Sequence, residues 1–225
     1  MRNWGILITI FYAMIVIGLL VPGYAFIAGM KPPWEDTLRV LYSEWLVWFW
    51  VVLVVSGQAI LLFLSVDTTR QRISPRTHIG ISYITGAALM ALLTFAAIWS
   101  GAAGVLGDNI FDDEGNLLLL DTRAKPLVYW GVLWAAWSII FFGYLKNSPK
   151  PLARVIAWLL RGSVLELLIA VSCLVIVRHR DDCSAPIATS FGIVTGIAVM
   201  LLSFGPSVLF LYKKRLDKFR SPYPD

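Results

Sequence analysis

Glu166 is the residue best placed to do chemistry. It sits in Leu165-Glu166-Leu167-Leu168-Ile169-Ala170-Val171, an apolar run with no second charge. A carboxyl there can take up and release a proton, hold a cation, or fix a hydrogen bond between helices. Within a bilayer its charge would cost roughly 2.5–3.5 kcal/mol, so it needs a partner, a proton or water. Arg161 is five residues away, about 140° around a helix and ~7.5 Å along it. The two side chains therefore diverge, and an intrahelical salt bridge is poor. Ser163, Ala170 and Cys173 fall on the Glu166 side at i−3, i+4 and i+7. Small and weakly polar residues in such a stripe face other helices rather than lipid. Two readings follow. In one, Glu166 is bonded to Gln58 or Thr195 of a neighbouring helix and fixes packing. In the other it is a buried proton or cation site of a transporter, with Arg161 as gate or counter-charge.

A second set is Cys173, His179 and Cys183. Three readings are open: unrelated thiols, a disulfide closing a short turn in an oxidising compartment, or a metal or thiol centre. The spacing C-x5-H-x3-C matches no standard zinc pattern. No CxxC pair occurs, and His78 lies at the opposite end of the chain's helices from His179, so the two cannot ligate one haem. No nucleotide-binding loop, catalytic Ser/His/Asp pattern or HExxH occurs either. These absences lean away from an enzyme, and no residue pattern specifies a cofactor.

The elements that must position these residues are membrane helices. Of 225 residues 58% are hydrophobic and 15% are charged, with a mean hydropathy of +0.74. A soluble domain carries about 25% charged residues. Six segments are long enough to cross a bilayer: 4–28, 44–66, 78–106, 127–145, 155–177 and 187–212. Backbone groups in lipid must bond within their own segment, so each is predicted to be a helix. The expected fold is all-α, one membrane domain over residues 1–225. Met1 to Ala25 has the outline of a signal peptide, but the run is long enough to span and is read as the first helix, bent near Pro22-Gly23.

Charge then orients the bundle. One side collects Arg2, Arg70, Arg72, Arg76, Lys146, Lys150, Arg154, Arg161, Lys213, Lys214, Arg215, Lys218 and Arg220. The other holds Lys31, Arg39, Arg123, Lys125, Arg178 and Arg180, with most of the acids. The positive-inside rule places both termini in the cytoplasm, and a bacterial-type inner membrane is the expected location. The basic tail reads as a topology signal and the +5 net charge gives no reason to expect nucleic acid. The acidic loop 107–126 does not match a calcium loop. Trp34, Leu38 and Leu41 share one face of a short amphipathic segment lying along the outer surface.

Two patterns remain. Ile84-Thr85-Gly86-Ala87-Ala88-Leu89-Met90 parallels Val194-Thr195-Gly196-Ile197-Ala198-Val199-Met200, in spans that cross in opposite directions, as in an inverted repeat. Ala188, Gly192 and Gly196 form a small-residue strip that accounts for the same glycine by close packing. Gly205-Pro206 is a candidate break in the last span. Trp130, Trp134 and Trp137 form a stripe, and with Trp45, Trp48 and Trp50 they suggest an aromatic surface for packing, interfacial anchoring or a partner. The first functional expectation is therefore a non-catalytic membrane subunit or assembly partner, with lipid, other subunits or a second copy as neighbours. A small-solute or ion transporter using Glu166 comes second, and an outer-face thiol or metal enzyme third.

Overall fold

The computed structural model describes residues 2–30, 34–67, 75–107, 125–145, 151–180, 182 and 185–220. The acidic stretch 108–124 and Cys183 lie outside them. The described residues form α1 (Arg2–Ile15), a π turn (Val16–Leu20), α2 (Val21–Ala28), α3 (Trp34–Ser43), α4 (Trp45–Asp67), α5 (Pro75–Leu106), α6 (Lys125–Leu145), α7 (Pro151–His179) and α8 (Ala185–Arg220). No strand occurs among them. Six helical segments are long and apolar enough to cross a membrane: Gly5–Ala28, Trp45–Leu64, Gly80–Leu106, Pro126–Tyr144, Leu152–His179 and Ala185–Ser203. The chain is an all-α, multi-pass bundle whose apolar outer faces meet lipid.

The first span departs from a plain α-helix, and the cause is Pro22. Instead of a simple bend at Pro22-Gly23, the chain widens into the π turn immediately before it. Val21 N–H bonds Val16 O across that turn. The next donor in the wide pattern would be residue 22, and proline has no N–H. Ile17 O is thus left over, and the Tyr42 hydroxyl of α3 donates to it at 2.6 Å. Burial pushes the Tyr42 phenol above the usual tyrosine range, so it retains the proton it donates. One proline in α2 therefore explains why the amphipathic α3 docks where it does. Leu41 is buried beneath α3, Leu38 is half-buried, and Trp34 is exposed and stacks on Phe26 at 6.4 Å.

The centre of the bundle is the trio α5, α7 and α8, with α5 and α7 parallel and α8 antiparallel to both, as the pairs Gly86–Val155, Gly104–Cys173, Gly192–Ala170 and Gly196–Leu167 show. Glycines let these helices approach. A Cβ on Gly162 of α7 would press on Met90 and Leu93 of α5. One on Gly104 of α5 would lie 2.7 Å from Cys173 Sγ of α7, and one on Gly196 of α8 would lie 2.8 Å from Leu167 of α7. Without side chains at these points, helix backbones come close enough for dispersion to accumulate along their length. The two Thr-Gly steps of the candidate repeat both serve this packing. Gly86 meets Val155, and Gly196 meets Leu167 and the Ser163 carbonyl, at different heights on α7.

The candidate break in the last span is not used. α8 runs unbroken through Gly205-Pro206 to Arg220. A proline removes one helical donor, a loss that a long helix with bonded turns on both sides can absorb. At the opposite end of the bundle, two arginines cap helix ends. Arg178 donates to Ile27 O at 2.9 Å, and Arg180 to Gly104 O and Val105 O at 3.2 and 3.4 Å. Cations at helix C-termini complete orphan carbonyls and offset the negative end of the helix dipole.

Candidate functional site

Glu166 projects from the middle of α7 into the α5/α7/α8 junction and is 1% exposed. The backbone of α8 reaches it because residue 192 is glycine. A Cβ there would stand 2.5 Å from Glu166 Oε1 and 2.9 Å from Ala170 Cβ, and would collide with Ser100 Oγ of α5. Ser100, Glu166 and Gly192 thus form one layer, each supplied by a different helix. The Ser100 hydroxyl stands beside the carboxyl, within reach of a hydrogen bond to it on a small turn of either side chain. Neither Glu166 oxygen nor Ser100 Oγ has a hydrogen-bond partner among the described residues. Buried polar atoms are nearly always bonded, and an unsatisfied one costs free energy, so this layer is unusual.

The neighbours expected from sequence occupy other places. Thr195 does not meet Glu166: it accepts a bond from Trp50 Nε1 of α4 at 3.1 Å. Gln58 of α4 is buried, but its Oε1 and the Glu166 oxygens all lack partners, so the two are not joined. The physical reason is register. α5 runs parallel to α7 and interposes Ser100 where α4 was expected. Ser163 lies on the same buried stripe as Glu166 and Ala170, with its hydroxyl bonded back to Leu160 O at 2.9 Å. Arg161 is exposed on the outer side of α7, turned from Glu166 as the five-residue spacing requires. Cys173 is a free thiol whose sulfur packs on Gly104, and His179 is exposed at the end of α7. Cys183, the third member of the C-x5-H-x3-C set, lies outside the described residues. Among the described residues, no group of three His, Cys, Asp or Glu is placed to hold a metal.

The tryptophan stripe of α6 turns inward. Trp130 and Trp134 donate to the Ala88 and Ile84 carbonyls of α5 at 3.3 and 3.1 Å, and Trp137 to Thr94 Oγ1 at 3.3 Å. Helix carbonyls keep a second lone pair after their own bond, so an indole N–H finds an acceptor even against a finished helix. The aromatic surface expected from Trp45, Trp48, Trp50, Trp130, Trp134 and Trp137 is consequently reduced. Trp45 and Trp48 stay exposed, the latter bonded to Tyr42 O at 2.8 Å.

These rings hold helices apart as well as together. Between α3, α4, α5 and α6 lies a cavity of about 610 Å³, with Trp50, Phe95, Trp99 and Trp130 in its wall and Asp36 and Glu44 at its α3 end. Phe95, Trp99 and Phe191 form an aromatic cluster on its inner side, with centroids 5.4 to 6.4 Å apart. Ser100 follows Trp99 in the chain, and Gly192 follows Phe191. The same turns of α5 and α8 therefore present rings to the cavity and the Ser100–Gly192 layer to Glu166. Sequence reading missed Ser100 and the cavity. A lone serine in an apolar span carries no pattern, and a cavity is made by helices distant in sequence.

No protein-family model, no curated protein and no solved structure matches the chain. The class stands on the fold alone, a multi-pass helical membrane protein, and the function must be argued from the site.

Proposed function

We propose that this chain is a membrane carrier of a small solute or ion in which Glu166 binds and releases a proton or cation. One observation supports the reading above the others. The carboxyl is enclosed by three helices, and among the described residues it makes no geometrically complete hydrogen bond, with only the Ser100 hydroxyl standing beside it. A glutamate retained for packing would gain from bonds to its neighbours. An unbonded one costs roughly 2.5–3.5 kcal/mol when charged, a cost that a travelling proton or cation removes. Ser100 then serves as a donor or acceptor that turns toward the carboxyl as its charge changes. Trp99 and Phe191 stand between this layer and the cavity. The charge asymmetry of the loops supports cytoplasmic termini in a bacterial-type inner membrane.

The subunit reading leaned in part on an aromatic outer face, and five of its six tryptophans donate to neighbouring helices within the chain. The enzyme reading leaned on Cys173, His179 and Cys183; the Cys173 sulfur packs against Gly104, and Cys183 lies outside the described residues.

The test is reconstitution in liposomes holding an internal pH dye, with the membrane potential set by a potassium gradient and valinomycin. The wild type is expected to admit protons, Glu166→Gln to abolish the flux, and Glu166→Asp to keep part of it. Equal flux in the wild type and Glu166→Gln would remove the proposal.

A further inference from the structure

We propose that the cavity between α3, α4, α5 and α6 binds a lipophilic cation: an apolar or aromatic body carrying one positive charge. The inference does not depend on the role of Glu166. It stands on size, wall and mouth together. The volume, about 610 Å³, is that of a site enclosing a ligand of drug size. The wall is almost wholly apolar, with Trp50, Phe95, Trp99 and Trp130 supplying ring faces and edges. Such rings desolvate an apolar body and attract a cation held over their faces. The mouth supplies the charge. Asp36 of α3 and Glu44, at the joint of α3 and α4, both line the cavity, and among the described residues no basic residue does so. Neither carboxylate is in an ion pair among the described residues, and Arg39, one turn beyond Asp36, is not part of the lining.

Charge complementarity decides among occupants. An acyl chain of a bilayer lipid fits an apolar wall, but the phosphate above it would meet two carboxylates. A lipophilic anion meets the same repulsion. A lipophilic cation places its body among the rings and its charge within the field of Asp36 and Glu44.

The experiment is equilibrium binding to the full chain in phosphatidylcholine nanodiscs, with empty nanodiscs subtracted. The probes are tetraphenylphosphonium and tetraphenylborate, which share a shape and differ in sign. Saturable binding of the cation alone is expected. Asp36→Asn with Glu44→Gln should weaken it about tenfold. Leu46→Trp, which fills the cavity from an exposed lining position, should remove the saturable component. Both sets of changes fall on exposed residues, so the variants should stay monodisperse. Equal uptake of the two probes would mean that the cavity takes apolar matter regardless of charge, as a lipid chain would. Cation binding unchanged by both sets would mean that the probe sits elsewhere. Either result overturns the proposal, and neither bears on the proton flux through Glu166.

Discussion

The α5/α7/α8 core and the α3/α4/α6 margin pack in opposite ways. In the core, glycine and alanine bring backbones together, and what polarity is present is sealed in: Ser100, Ser163, Glu166, Thr189 and Ser190 are all buried. At the margin, tryptophans stand between helices, reach across with their N–H groups, and leave space between the rings. Removing a Cβ lets two helices share a long seam. Adding an indole fixes them at a distance and demands a bond at that distance. A carboxyl with no way out belongs to the first kind of packing, and a ligand-sized cavity to the second.

The contrast is broken most directly at Gly192. Gly192→Val should destabilise the protein by about 1–3 kcal/mol, because the new methyls enter the space of Ser100 Oγ, Glu166 Oε1 and Ala170. The readout is the melting temperature of the detergent-solubilised chain. Adding Glu166→Ala to Gly192→Ala should recover part of the loss, since one of the colliding atoms is gone. A Gly192→Val protein as stable as the wild type would mean that the core is not packed this tightly.

The next effect is at the joint between α3 and the first span. Tyr42→Phe should cost about 1 kcal/mol by orphaning Ile17 O. The same change in a Pro22→Ala background should cost less, because residue 22 then has an N–H for that carbonyl. Equal costs in the two backgrounds would sever the link between the proline and the docking of α3. Smaller again is Trp134→Phe, which removes one indole bond to Ile84 O and should cost about 0.6 kcal/mol, the usual scale for such bonds between membrane helices. Smallest is Gly131→Ala on α6. Nothing lies within 4 Å of the added Cβ, so stability should change by less than about 0.5 kcal/mol. A large loss there would show α6 covered by something other than lipid.

Much of the fold was legible because its signals are local. Each span reads as about 20 apolar residues, and the observed helices fall within a few residues of the expected bounds, with α7 longer by one turn at its start and α8 by about two turns at its end. The Pro22 irregularity was legible as a place but not as a form. The π turn goes with a bond from Tyr42 to Ile17 O, made by a helix distant from Pro22 in the chain. The stripe Ser163–Glu166–Ala170–Cys173 was legible from helical periodicity. Its neighbours were not, because periodicity gives a face and says nothing of which helix meets it. Gln58 and Thr195 were reasonable partners by polarity, but parallel α5 brings Ser100 instead. The tryptophan stripe misled for the same reason, since its spacing is identical whether the rings face lipid or a carbonyl.

Sequence by itself determined that this chain crosses a membrane six times as helices, and that Glu166 lies deep within one of them. Hydrophobic length and backbone self-satisfaction leave no other arrangement for such segments. Only the tertiary structure decided that three helices enclose Glu166 with Ser100 beside it, and that aromatic rings frame a cavity lined by two acids. Both depend on the register and separation of helices far apart in the chain, set by where a Cβ is missing and where an indole intervenes.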